Sequence, residues 1–338
     1  MATVLKRLNA GLHEAFTEDA RVYLIGEDLL DPYGGAFKVS AGLSSAYPER
    51  VLSSPVSEAG IVGVAGGMAL RGLRPVVEIM FGDFVTLAAD QVINSLSKFP
   101  WMYGGEVSVP VVIRTPMGGR RGYGPTHSQT LEKLFLGVPG LRVLAANSLD
   151  DPGALLKAAI LEDDEPVLFI ENKLLYAHEV GDEEALKDFE IKRNTPDEGY
   201  AAATLLRLKG APDARVTMAA YGYMAELARE AVLRLAFEEE LFCELYVPSQ
   251  LTPLAKDGSL DAPLAESLGR TGAMLSVEEG GLSFGWGAEM GARAAQQFGN
   301  LQLRRVAAAD QNIPASMALE TAVLPSVEDI MAAAREMV

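Results

Sequence analysis

Runs of β-branched and other apolar residues alternate along the first half of the chain with stretches whose apolar positions recur at helical spacing. The runs near Val22–Gly26, 75–81, 110–114, 142–146 and 167–170 predict strands. Helices are predicted between them over 57–72, 84–99 and 150–162, the last opening on Asp150, Asp151 and Pro152, residues suited to a helix start. The pattern then turns polar over 178–200, with Pro196 and Gly199, and predicts an interdomain connection. A second series follows, with strands near Val216–Ala220, 243–247, 273–277 and 303–308, an amphipathic helix over 224–238 and a closing helix over 326–337. Strand and helix in alternation predict an α/β fold with a mostly parallel sheet, in two domains over 1–180 and 205–338 joined by a linker over 181–204.

One charge interrupts this pattern. Glu58 opens a predicted helix whose remainder, 59–70, is uncharged and carries four glycines, Gly60, Gly63, Gly66 and Gly67. Ser57 suits the cap, and the free amides and dipole of the first turn favour a carboxylate by roughly 0.3–1 kcal/mol. Glycines let such a helix lie close against neighbouring backbone, as in a deep core or a subunit interface. From this stretch alone, a helix-starting acid and a catalytic carboxylate are equal readings.

Composition narrows the function classes. The 338 residues are 49% apolar, enough for about two buried cores. With 46 acidic and 29 basic residues the net charge is -17, which argues against sequence-independent binding to nucleic acid or anionic lipid. A single cysteine, Cys243, excludes an internal disulfide and a cysteine-based zinc site, and the expected address is the reducing cytoplasm. The first sixteen residues read as an amphipathic helix without an apolar signal region, and the longest uncharged apolar stretch, 60–70, is far short of the roughly 20 residues of a membrane span.

Of the three histidines, His13 falls in a solvated helix and His178 in the connection, which leaves His127 on a loop of the kind where sites collect. Taken alone it is as well read as an ordinary loop histidine, and the preceding PMGGRRGYG, 116–124, as an active-site rim or a plain surface loop. Gly285, Gly287 and Gly291 form a loose dinucleotide fingerprint, but residues 278–284 intervene after the predicted strand and the spacing is off by one. No Walker loop, zinc spacing or nucleophile elbow occurs.

Many short motifs in fixed order carry more than any one of them. They include Gly26-Glu27-Asp28, the run from Tyr33 to Val39 (YGGAFKV), Pro55-Val56-Ser57-Glu58-Ala59-Gly60, Gly72-Leu73-Arg74-Pro75, Phe84 with Asp90-Gln91-Val92-Ile93-Asn94, Gly104-Gly105, His127-Ser128-Gln129, Pro139-Gly140-Leu141 and the run from Glu171 to Tyr176 (ENKLLY). In the second half Ala220-Tyr221-Gly222, Val277-Glu278-Glu279 and Gly287-Ala288-Glu289 continue it. Nearly end to end, this pattern resembles the beta chain of two-chain, thiamine diphosphate dependent 2-oxoacid dehydrogenase decarboxylase components, of the pyruvate, branched-chain and acetoin type in the transketolase-like superfamily. The resemblance implies a pyrimidine-binding transketolase-like domain followed by a transketolase C-terminal-like α/β domain.

It implies site roles as well. Glu58 would hydrogen-bond the aminopyrimidine of the cofactor, Phe84 would stack on that ring with Val56 beside it, and His127 would orient the 2-oxoacid or assist acyl transfer to a lipoyl group. Glu27 and Asp90 match acids placed between paired active sites. The family holds magnesium and the diphosphate with a Gly-Asp-Gly segment ending in asparagines, which this chain lacks, so an alpha chain would complete the site in a heterotetramer of two alpha and two beta chains. A structural potassium is implied near Val111, Ile160, Leu161, Asp163 and Glu165, the last standing where asparagine is common. Three departures touch the carrier side: Pro125-Thr126 before the histidine triplet, Tyr246-Val247-Pro248-Ser249 where Asp-Leu-Arg is common, and Pro314-Ala315-Ser316 in place of a proline-tyrosine pair. They bear on docking of a lipoyl acyltransferase and leave open a two-chain carboligase without a lipoyl carrier, beside a non-catalytic partner subunit.

Overall fold

The computed structural model describes residues 2–195 and 199–338, and the expected linker residue Pro196 lies outside them. The chain divides into two compact units, Met1–Met117 with Leu134–Gly181, and Gly118–Lys133 with Asp182–Val338.

The first unit carries six parallel strands, β1 (Val22–Gly26), β2 (Val51–Ser53), β3 (Arg74–Glu78), β4 (Val112–Met117), β5 (Arg142–Ala145) and β6 (Val167–Asn172), in the order β5-β6-β4-β3-β1-β2. β3, β4 and β6 are buried along their whole length, as their apolar cores predict for a sheet covered on both faces, and the charges they carry, Arg74, Glu78, Arg114 and Glu171, are buried with them. β2, too short for a periodic signal, was not expected. Helices α1 (Val4–Glu18), α2 (Glu58–Ala69) and α3 (Pro152–Leu161) pack around the sheet. α1 and α3 cross at Gly11 and Gly153, so closely that a Cβ on Gly11 would stand 2.2 Å from the Gly153 carbonyl oxygen. Asp151 caps α3 through the amides of Gly153 and Ala154 and pairs with Arg7 of α1 at 2.5 Å.

Two expected helices differ. Ser57 stands at the N-cap of α2 but its side chain makes no cap bond, and its amide is turned instead to Glu27 Oε1 at 3.3 Å. The single helix expected over 84–99 is three pieces: 3₁₀ turns over Gly82–Ala88, a π-helical turn over Gln91–Leu96 and a short α-helix over Phe99–Met102. Hydroxyls compete for its carbonyls, Thr86 Oγ1 donating to the Asp83 oxygen and Ser97 Oγ to that of Ile93, while β-branched Val85, Val92 and Ile93 crowd a regular ladder.

In the second unit β7 (Phe189–Asn194), β8 (Ala203–Leu208), β9 (Val216–Ala220), β10 (Cys243–Pro248), β11 (Ala273–Gly281) and β12 (Gln302–Ala308) form a sheet in the order β12-β11-β9-β10-β8-β7. β7 and β8 run antiparallel to their neighbours and the remainder is parallel. The 181–204 stretch is therefore more than a connection, because it contains β7, a strand hidden by its charges although Phe189 and Ile191 alternate with Glu190 and Lys192. Helices α4 (Met224–Glu239), α5 (Ala262–Thr271), α6 (Trp286–Phe298), α7 (Met317–Val323) and α8 (Val327–Arg335) complete the unit. The loose glycine fingerprint opens α6, where buried Glu278, reached from β11, accepts from the Gly287 amide in place of a local cap. Both units follow the α/β expectation. No helix of the described residues is long and apolar enough to cross a membrane.

Candidate functional site

Ligands of parallel sheets gather beyond the carboxyl ends of the strands. In the first unit, neighbouring strands β2, β1 and β3 each deliver a candidate residue there: Glu58 follows β2, Glu27 follows β1, and Phe84 follows β3. Glu58 is the first residue of α2, buried at 6% exposure, and accepts no hydrogen bond from any described residue. Glu27 is buried beside it at 7% exposure. Burial, and then the charge of Glu58, push the Glu27 carboxyl above its ordinary value, against the pull of the Ser57 amide. The two carboxyl groups thus lie within electrostatic reach of each other.

Phe84 is half-buried, its ring meeting the Phe81 ring edge-on with centroids 6.2 Å apart. Phe81 in turn meets Phe37 at 5.5 Å, and Phe37 meets Tyr176 at 5.5 Å. Tyr176 donates to Glu171, which with Glu78 grips the buried Arg114 guanidinium. Phe84 therefore stands at the end of an aromatic column footed on a buried ionic cluster. Val56 is exposed at 76%, and Asp90 is exposed and accepts from Asn94 Nδ2 at 2.8 Å. Glu27 and Glu58 come together, whereas Asp90 sits in its own local network with Asn94 and Gln91.

The outer face of α2 is apolar and exposed at Ala59, Gly60, Gly63, Val64 and Gly67, which suits the interface role expected of it. At the expected potassium position the fit is poor. Arg74 Nη1 donates to the carbonyls of Ile160 at 3.0 Å and Asp163 at 2.8 Å, and the Asp163 carboxylate pairs with Arg142 at 2.7 Å, so a fixed cation already serves two of the named oxygens. Among the described residues no group of three or more His, Cys, Asp or Glu could hold a metal.

His127 belongs to the second unit, on the segment that leaves β4. It is half-buried, with Nδ1 3.1 Å from Thr126 Oγ1 and its amide donating to the Gly124 carbonyl at 3.3 Å. Its loop is closed at the base by the Gly118 amide on the Gln129 oxygen. Buried carboxylates hold the outgoing limb: Gly119 N donates to Glu279 at 2.7 Å, and Arg120 N and Gly122 N donate to the two oxygens of Glu320, each at 2.8 Å. Sequence reasoning missed Glu320. The signal was the one that exposed Glu58, a lone acid in an apolar helical stretch.

Six parallel strands with acids and an aromatic at their carboxyl ends, followed by a mixed sheet, define the architecture of the transketolase-like proteins. The family model described as the transketolase pyrimidine-binding domain matches residues 2–179, and that of the transketolase C-terminal domain matches 207–330. A solved chain titled a split-gene transketolase, inactive beta4 tetramer, shares this fold with a TM-score of 0.74 at 22% identity, covering 99% of this chain and 98% of that one. The pyruvate dehydrogenase E1 component subunit beta-2, mitochondrial, of Oryza sativa subsp. japonica is 36% identical, over 98% of this chain and 85% of its own length. That of Rickettsia conorii, named subunit beta, is 31% identical over 99% and 97%. The chain belongs to the family of 2-oxoacid dehydrogenase E1 beta subunits, whose cofactor is thiamine diphosphate.

Proposed function

We propose that this chain forms the pyrimidine half of a thiamine diphosphate site completed by an alpha chain, and serves in decarboxylating a 2-oxoacid and passing the acyl unit to a lipoyl carrier. The observation that carries this reading is Glu58, a carboxylate buried at the first turn of a helix, beyond the sheet, without a hydrogen-bond partner among the described residues. A group supplied from outside the chain would meet it, and a pyrimidine ring nitrogen offers what a carboxyl can give a proton to and take it from.

Thiamine diphosphate, when bound, would supply a ring carbon that is nucleophilic once deprotonated and a cationic ring that can accept the electron pair left when carbon dioxide departs. The residues of this chain manage protons and position. Glu58 would move the proton at the pyrimidine nitrogen, with Glu27, whose pKa burial and the Glu58 charge raise, as a second carboxyl beside it. Phe84, stiffened by Phe81 and Phe37, offers a half-exposed ring for stacking. His127 meets the substrate end. Magnesium and the diphosphate would be held by the alpha chain, with two copies of each chain in the assembly, and the exposed small-residue face of α2 would lie in an interface. The likeness to pyruvate dehydrogenase subunits favours pyruvate as the first 2-oxoacid to try.

The test is calorimetric binding of thiamine diphosphate with magnesium to the purified chain, alone and with the alpha chain, followed by 2-oxoacid dependent acylation of a lipoyl domain. Binding only in the mixture, with acylation, is the expected result. Tight binding by the single chain would overturn the split site, and carboligation without acylation would overturn the lipoyl reading. In the mixture, Glu58→Gln should bind cofactor nearly normally and lower turnover by roughly 100-fold or more; unchanged turnover would remove Glu58 from the chemistry.

A further inference from the structure

Glu320 is 1% exposed, yet neither of its oxygens pairs with a cation among the described residues. Both accept from backbone amides about 200 residues earlier in the chain, those of Arg120 and Gly122, at 2.8 Å each. Alternate amides of a short loop that converge in this way make a nest-like site that selects an anion, here the protein's own. Arg120 and Gly122 both adopt left-handed backbone, with φ of 68° each, a conformation that costs an arginine about 1–2 kcal/mol and persists only where its surroundings impose it. The loop also lies against α7 too closely for any side chain at Gly119, whose Cβ would stand 2.6 Å from Leu324 Cδ1 and 3.0 Å from Glu320 Oε1. Gly124, three residues before His127, packs on Ala315 just ahead of the same helix.

If packing alone were needed, apolar side chains would serve as well or better than a buried carboxylate. What the carboxylate adds is direction, because two oxygens fix two amides and so fix the path of the limb between Gly118 and Gly124. We propose that Glu320 is a positioning residue for His127: through the nest at Arg120 and Gly122 it holds the 118–129 loop in the one conformation that presents the imidazole, with Glu279 securing Gly119 as a second, weaker tie. The proposal rests on the substrate-handling role given to His127 above.

The test uses the assembled enzyme with its alpha chain. In Glu320→Gln one acceptor becomes an NH2 group facing an amide donor, so the nest opens while size is kept. Hydrogen-deuterium exchange should rise at the amides of Arg120 and Gly122, confined to 118–129. kcat/KM for the 2-oxoacid should fall by about tenfold or more, while the Kd for thiamine diphosphate stays within about twofold. Glu320→Gln combined with His127→Ala should be no worse than His127→Ala alone, the mark of two residues acting through one group. Unchanged exchange in the loop would overturn the proposal, as would a matching loss of cofactor binding, which would make Glu320 a general structural residue. Faster loop exchange with lowered kcat/KM, alongside a native-like His127→Ala, would instead remove His127 from the reading and leave Glu320 acting on another part of the loop. Should Glu320→Gln not fold, Glu279→Ala removes the acceptor of the Gly119 amide, leaves α7 untouched, and should give the same pattern at smaller size; no change there would count against the proposal.

Discussion

Each unit buries a cluster of carboxyl groups with a tyrosine, and the two clusters solve the problem of buried charge in opposite ways. In the first unit Arg114 donates from Nε and Nη2 to Glu171 at 2.7 and 2.6 Å and from Nη1 to Glu78, with Tyr176 adding a bond to Glu171 at 2.5 Å. Burial alone would lower the Arg114 pKa, but the two carboxylates outweigh it and raise it. In the second unit Glu132 receives only Tyr221, at 2.5 Å, and its Oε2 has no hydrogen-bond partner among the described residues. Burial drives its carboxyl up to about 7, with Glu278 and Glu279 adding repulsion against the pull of Tyr221. A buried acid is thus paired with a guanidinium in one place and, in the other, left without a cation among the described residues, where burial raises its pKa.

The contrast breaks most visibly at its cation. Arg114→Met should strand two buried carboxylates and cost about 3–5 kcal/mol in urea unfolding, or prevent folding outright. A loss under 1 kcal/mol would mean that the cluster is not electrostatic. Tyr176→Phe should cost about 1.5–3 kcal/mol, since it removes a bond to a charged acceptor.

For Glu132 the sign runs the other way. Its folded pKa of about 7 lies above the ordinary 4.5, so the folded state binds the extra proton between these values. Stability should therefore fall as pH rises from about 5 to 7, by up to about 1.4 kcal/mol per pH unit. Glu132→Gln, which keeps the acceptor for Tyr221, should flatten that part of the profile; an unchanged slope would assign it to another group. The smallest effect is expected for Tyr221→Phe, about 0.5–1.5 kcal/mol at pH 5, where its partner is neutral. Equal losses for the two tyrosines would erase the distinction.

The sequence made the parallel strands legible because a strand buried on both faces must be apolar throughout, as Val167–Asn172 is up to its last two residues. Strand β7 escaped because its edge position permits Glu190, Lys192 and Arg193 alongside only two apolar anchors, Phe189 and Ile191. The broken helix over 82–102 escaped because its cause is side-chain hydroxyls bonding to backbone, which apolar periodicity does not register. Glu58, Glu27 and Phe84 were legible as motifs, and topology then explained them as neighbours at strand ends. The clusters around Arg114 and Glu132 were not, because a charge inside an apolar run does not announce whether its partner stands on another strand.

Arg74 has one more consequence. Its guanidinium serves the carbonyl oxygens at the end of α3 from a side chain of the same chain, so its local concentration there is set by geometry and no dialysis can dilute it. A cation on a tether does not exchange with the ions of the medium. This corner of the first unit should hold its shape equally well whichever alkali metal the buffer contains.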